Sequence, residues 1–140
     1  MSFSFKKIFP WVLRGVAAFI MLQTLFFKFT AAPESVYIFT ELGIEPWGRI
    51  GSGVMELIAS VLLLIPRTTV LGALLAMGIM GGAILSHIFV LGVVIQDDGG
   101  QLFIYALLVL ICSAILFWMY RRQLGRFIQQ RFVPFLITNA

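Results

Sequence analysis

The sequence predicts an all-α membrane protein: a four-transmembrane-helix bundle with both termini cytoplasmic, a short outer surface helix and a basic cytoplasmic tail. Three observations lead there. Of 140 residues, 61% are apolar and only 11% are charged. A soluble domain carries about a quarter of its residues charged and cannot hide this much apolar surface from water. Four apolar runs approach the roughly 20 residues that a helix needs to cross a bilayer. The basic side chains also gather at one set of run ends, which is the mark of a fixed orientation.

The first span is read as residues 10–29. Only residues 15–27 lie between Arg14 and Lys28, about 20 Å at helical rise. Flanking side chains that snorkel in opposite directions lengthen that span, and they make Arg14 a membrane anchor at the inner face. A cleaved signal peptide is the rival reading, because Thr30-Ala31-Ala32 resembles a cleavage site. Pro33 directly after the cut and Arg14 inside the apolar core argue against it.

Residues 33–48 hold PESVYIFTELG, in which Val36, Phe39 and Leu42 have helical spacing and Gly43 supplies a stop. This predicts a helix along the outer membrane surface. The second span is 49–66, broken only by Glu56 and closed by Pro66, and Pro66-Arg67-Thr68 is a tight turn. The third span is 69–92, although its uncharged run continues to Gln96 and leaves the end open. Asp97-Asp98-Gly99-Gly100 forms a short outer turn, and residues 101–120 form a fourth span without a charge. The tail RRQLGRFIQQRF alternates basic and apolar positions. It predicts a cytoplasmic interfacial helix held by anionic lipid, with Arg121 and Arg122 as membrane anchors; a plain basic stop-transfer flank fits the same residues. The chain reads as one domain over residues 1–140, without internal repeats or low-complexity segments.

Four spans place Lys6, Lys7, Arg14, Arg67, Arg121, Arg122, Arg126 and Arg131 on one side. The other side has Lys28 and Arg49 together with Glu34, Glu41, Glu45, Asp97 and Asp98. The bias predicts a multi-pass protein of the plasma (inner) membrane with both ends in the cytoplasm. The net charge of +4 thus points to lipid and not to nucleic acid. Cys112 is the lone cysteine, so neither an internal disulfide nor a Cys-x-x-Cys pair can form. That removes the four-helix membrane thiol oxidoreductases. The sequence shows no metal-ligand spacing, no phosphate-cradling glycine loop, and no haem, flavin or iron-sulfur motif.

The stretch GSGVMELIAS places one carboxylate, Glu56, in an otherwise lipid-like segment. It lies seven residues past Arg49, roughly 10 Å below the outer interface. His87 lies at a similar depth in the third span. Gln101 and Tyr105 start the fourth span from the same side, and Gln23 and Lys28 end the first one there. Each span therefore brings polar groups to the outer half of one interior. Ser52, Glu56 and Ser60 share a stripe, as do Thr24 and Lys28; Gln101, Tyr105, Leu108 and Cys112 follow another. Gly78, Gly82 and Ser86 run beside the stripe of Ala83 and His87, where glycines would admit a neighbouring helix.

An isolated carboxylate at this depth costs several kcal/mol. Glu56 is therefore protonated, or paired with Lys28, His87 or Arg49. A functional site and a structural polar clasp both meet that demand. The other residues carry similar alternatives. His87 can simply donate to a backbone carbonyl, and Tyr105 can belong to the outer aromatic belt. Cys112, Met77 and Met80 read as packing. The ligand-binding or proton-relay candidates are Glu56, His87, Lys28, Tyr105, Gln23 and Gln101.

Residues 53–89 hold a Gly-x-x-Glu-Leu motif (Gly53, Glu56, Leu57), a leucine run, the Arg67-Thr68 turn and a helix that ends near His87. This ordered set resembles the DoxX family of small four-helix membrane proteins. Arg14 and Lys28 at the two ends of the first span and the outer ELGIEPW stretch extend it over residues 10–120. The resemblance implies association with membrane redox complexes. One relative, DoxD, is a subunit of a thiosulfate:quinone oxidoreductase, and others partner soluble enzymes in thiol-stress defence.

Three functions fit these residues. The first is a subunit or partner of a membrane redox system, with a quinone held in the polar outer half of the bundle and electrons supplied by a partner protein. As an enzyme it would be a quinone-linked oxidoreductase subunit, not catalytic alone. The second is a non-catalytic assembly subunit, bound to a protein partner or to copies of itself. The third is a small proton-coupled transporter in which Glu56 exchanges protons for substrate.

Overall fold

The computed structural model describes residues 4–138. Among them every regular element is helical. Helix α1 spans Phe5–Phe29, α2 Pro33–Glu41, α3 Trp47–Leu64, α4 Thr69–Ser86 and α5 Gln101–Thr138. A π-helical turn, His87–Leu91, prolongs α4.

Helix α1 begins five residues before the sequence-predicted start. The Ser4 carbonyl accepts hydrogen bonds from Lys7 N (2.8 Å) and Ile8 N (3.3 Å). Pro10 falls in the second turn, and the helix continues through it. Its 25 residues reach about 37 Å, so no snorkelling is needed to span a hydrocarbon layer of about 30 Å. Pro33 at its N-terminus starts α2, where a missing N–H costs nothing. Gly43, at φ +72°, reverses the chain after it.

Two threonines close the turn between α3 and α4. Thr68 Oγ1 donates to Leu62 O (2.9 Å) and Thr69 Oγ1 to Ile65 O (3.1 Å), so carbonyls left free at the end of α3 gain donors. Gln123 of α5 clamps the same turn: its Oε1 accepts from Val70 N (3.1 Å) and its Nε2 donates to Pro66 O (2.8 Å). At the far end of α4, Gly92 N donates to His87 O (2.8 Å) with φ +79° at Gly92. This geometry ends the span at Leu91, although the apolar sequence runs further.

The long helices form a ring in the order α1, α3, α4, α5, with α5 closing back on α1; α2 lies against α1, α3 and the π-turn. Ala17, Ala59, Ala73 and Ala76 are fully buried in the centre, with Met21, Leu63, Val109 and Leu116 around them. Small side chains at crossings let helices approach closely, which is how bundles hold together in lipid. The tightest approach is at Gly72, where an added Cβ would lie 2.5 Å from Leu63 N and 2.8 Å from Leu62 C. The close approach expected at Gly78 and Gly82 is not made, since nothing lies within 4 Å of a Cβ at either position.

The outward faces are apolar and exposed, with Phe19, Phe26, Phe89, Ile111 and Trp118 among them. Phe5–Phe29, Trp47–Leu64, Thr69–Leu91 and Gln101–Phe132 are each long and apolar enough to cross a membrane. The chain is a multi-pass membrane protein. Of the two readings of the tail, the basic flank of the fourth span fits better. It is not a separate helix lying along the interface but the unbroken continuation of α5, whose 38 residues extend about 57 Å. Gly125 does not interrupt it, because a helical glycine costs only about 1 kcal/mol.

Candidate functional site

A cavity of about 640 Å³ opens among the four spanning helices at the end covered by α2. Glu56, His87, Lys28, Tyr105, Gln23 and Gln101 all line it. The centre is an ion pair between α1 and α3. Lys28 Nζ lies 2.5 Å from Glu56 Oε1, and Thr24 Oγ1 lies 3.1 Å from Glu56 Oε2. Glu56 is only 4% exposed, so its charge is matched inside the bundle and not at lipid. The Thr24 hydroxyl also lies 2.8 Å from Met21 O; its single proton is divided between two acceptors. Thr24 stands one turn before Lys28 on the stripe read from the sequence, and the structure adds it to the site candidates.

Arg49 does not pair with Glu56. Its Nη2 lies 2.8 Å from Oε1 of Glu45, in the connection just before α3, and its Nη1 donates to the Lys28 carbonyl. That carbonyl belongs to the last turn of α1, which lacks helical donors. Arg49 therefore pins the backbone of the residue whose ammonium pairs with Glu56.

His87 is buried at the start of the π-turn. Its Nδ1 lies 2.8 Å from Gly92 O. A carbonyl only accepts, so Nδ1 carries a proton directed at Gly92 O. The imidazole meets Phe103 edge to face at 5.5 Å. On α5, Gln101 Nε2 donates to Tyr105 OH (2.6 Å), which leaves the phenol's own proton for another acceptor. Gln23 is half-buried and Gln101 exposed at the cavity mouth. The proposed stripe on α5 breaks at Leu108, which faces outward.

Glu34 and Asp98 add carboxylates to the rim. Asp98, in the loop before α5, accepts from Ile95 N (2.9 Å), Gly100 N (2.8 Å) and Leu102 N (3.1 Å). Burial pushes this carboxyl up, but the three backbone donors, with His87 nearby, pull it below its ordinary value overall. Most of the remaining wall is apolar, with Met21, Phe39, Met80 and Ala106, and Ser35, Ser52 and Ser86 interrupt it. The arrangement suits a molecule with a hydrogen-bonding head and an apolar body.

The three predicted anchors lie elsewhere. Arg121 and Arg122 are exposed on α5, with Arg121 Nη1 donating to Trp118 O (2.8 Å). Arg14 is not a snorkelling side chain. It is 2% exposed, and its Nη2 donates to Tyr120 OH at 2.6 Å. Once α1 starts at Phe5, Arg14 falls in its third turn and faces the bundle.

The sequence model of the DoxX-like family matches residues 12–116, a stretch that runs from α1 into α5 and includes all the cavity candidates. No curated protein and no solved structure matches the chain.

Proposed function

The chain belongs to the DoxX-like family, and from that premise we propose that it is the integral subunit or partner of a redox system of the plasma (inner) membrane, holding a quinone in the cavity beneath α2. The observation that carries this reading is the buried Lys28–Glu56 pair set in a cavity whose other walls are largely apolar. The volume of about 640 Å³ lies within the roughly 300–1,000 Å³ common for small-molecule sites.

The residues present fit such a ligand. A quinone contributes two carbonyl oxygens that accept hydrogen bonds and a ring that takes up two electrons and two protons. Lys28 and the Tyr105 hydroxyl supply donors, and Glu56 and His87 Nε2 hold or relay protons beside them. Met21, Phe39 and Met80 exclude water from the ring. Electrons come from a partner protein.

Solvent extraction of the purified protein, followed by chromatography, tests the reading, as does titration with short-chain ubiquinone and menaquinone analogues. A bound quinone is expected, with affinity about tenfold lower in Tyr105→Phe and Glu56→Gln, the loss that removing one hydrogen bond to a charged or polar group predicts. An extract without quinone, no binding in titration and an unchanged set of co-purifying partners in Glu56→Gln would leave an assembly subunit in its place.

A further inference from the structure

At the opposite end of the bundle from the cavity lies a second cleft, of about 410 Å³, lined by Lys6, Lys7, Trp11, Arg14, Pro66 and Tyr120 among others. Its floor is an unusual cation. The Arg14 guanidinium carbon lies 4.5 Å from the Trp11 ring centre and 4.9 Å from that of Tyr120. Only one of its nitrogens has a hydrogen-bond partner, the neutral Tyr120 hydroxyl, and Nε is buried with none. Ion pairs among the described residues join Lys28 to Glu56 and Arg49 to Glu45; Arg14 has no carboxylate partner. All six acidic residues of the chain lie in the segment between residues 34 and 98, and none lines this cleft.

A guanidinium removed from water without an anion is costly, because ring contacts and one hydroxyl return only part of its hydration. The same energetics favour an anion from outside the chain. Its shape is set by the donors. The guanidinium offers planar paired N–H groups, which match the oxygens of phosphate. The Tyr120 oxygen accepts from Arg14, so its own proton is free to donate. Lys6 and Lys7, both exposed on the rim, add positive charge that draws an anion in. The cleft stands where α1 begins, where α3 turns into α4 and where the apolar part of α5 gives way to Arg121 and Arg122. That is the level of lipid headgroups, and basic pockets between spanning helices at that level hold acidic headgroups.

We propose that this cleft is a binding site for a phosphate group, supplied by the headgroup of an anionic phospholipid, with Arg14 and Tyr120 gripping the phosphate and Lys6 and Lys7 attracting it. Binding completes the charge that the fold leaves open and ties α1, the α3–α4 turn and α5 together. The site lies apart from the quinone cavity, so neither reading depends on the other.

The test uses the full chain reconstituted in phosphatidylcholine nanodiscs with increasing phosphatidylglycerol. Melting temperature and Trp fluorescence are read, with inorganic phosphate added to pure phosphatidylcholine discs as a second arm. The expected result is a saturable rise in melting temperature with phosphatidylglycerol. Its half-point should move about tenfold higher in Tyr120→Phe and further in Arg14→Gln, with partial recovery in Arg14→Lys, which keeps the charge but not the fork. Saturation by inorganic phosphate alone, lost in the same variants, would keep the phosphate site and assign it to a free anion. A response that persists unchanged in Tyr120→Phe and Arg14→Lys, or no saturable response to either phosphate source, overturns the proposal. The two milder variants provide the answer if Arg14→Gln does not fold.

Discussion

Removing both partners of the Lys28–Glu56 pair should cost far less than the two single removals added together. The two charged atoms lie 2.5 Å apart, and the side chains are 15% and 5% exposed. At an effective dielectric constant near 20, their attraction is about 7 kcal/mol. Dehydration of two ions, several kcal/mol each, cancels most of it. Lys28→Met strips the cation and leaves the Glu56 carboxylate with a single shared donor, Thr24. The expected loss is about 3 kcal/mol, the low end for a broken buried pair. Glu56→Gln keeps an acceptor for Thr24 and leaves the more accessible ammonium unpaired, so about 2 kcal/mol is expected. The double variant removes both charges and should lose about 2 kcal/mol instead of the sum of about 5, a coupling of about 3 kcal/mol. Equilibrium unfolding in mixed micelles, followed by far-ultraviolet circular dichroism, measures all three. Additivity within about 0.5 kcal/mol would refute the claim that these charges stabilise one another.

Gly72→Ala should destabilise by about 1–3 kcal/mol, because the new methyl group would meet the backbone of Leu62 and Leu63 at 2.8 Å or closer. Gly78→Ala, with open space around the position, should be neutral or stabilising by up to about 1 kcal/mol; thermal melts of the two variants in one detergent decide it. Gln123→Ala deletes the clamp on the α3–α4 turn and should cost about 1–2 kcal/mol, with faster amide exchange at Val70 as the local readout. Asp98 is held below its ordinary value by its backbone donors, so its contribution to stability is complete above the unfolded pKa of about 3.9 and is lost as pH falls through the lower folded one. The wild type should therefore lose more stability than Asp98→Asn on acidification below about pH 4, measured by melting temperature; equal losses would show that the carboxyl contributes nothing.

Span positions were legible because lipid demands long apolar runs, and in this chain Pro66 and the Asp97-Asp98-Gly99-Gly100 turn punctuate them sharply. Ends depended on finer chemistry. A proline in the second turn did not stop α1 from starting at Phe5, and a π-turn with Gly92 stopped α4 before its apolar run was spent. The tail stayed open between two readings because alternating basic and apolar residues suit both an interfacial helix and a basic flank that prolongs the fourth span, and only the absence of a break after Tyr120 distinguishes them. At the cavity, depth could be counted from the interface, and that count brought Glu56, Lys28, His87 and Tyr105 to one level. Counting cannot give the neighbour order of helices. Arg14 and Tyr120 touch across 106 positions, and nothing in either local sequence announces the other. The Arg49–Glu45 pair is within reach of i, i+4 reasoning, because the two side chains stand four residues apart.

Helix α5 carries Gln101 and Tyr105 at the cavity, Tyr120 at the basic cleft and Arg126 and Arg131 on the part beyond. One rod thus serves two compartments of the molecule and an arm outside it, without a joint between them. Any load on the arm is therefore borne by the same unbroken hydrogen-bonded backbone that holds both tyrosines in place.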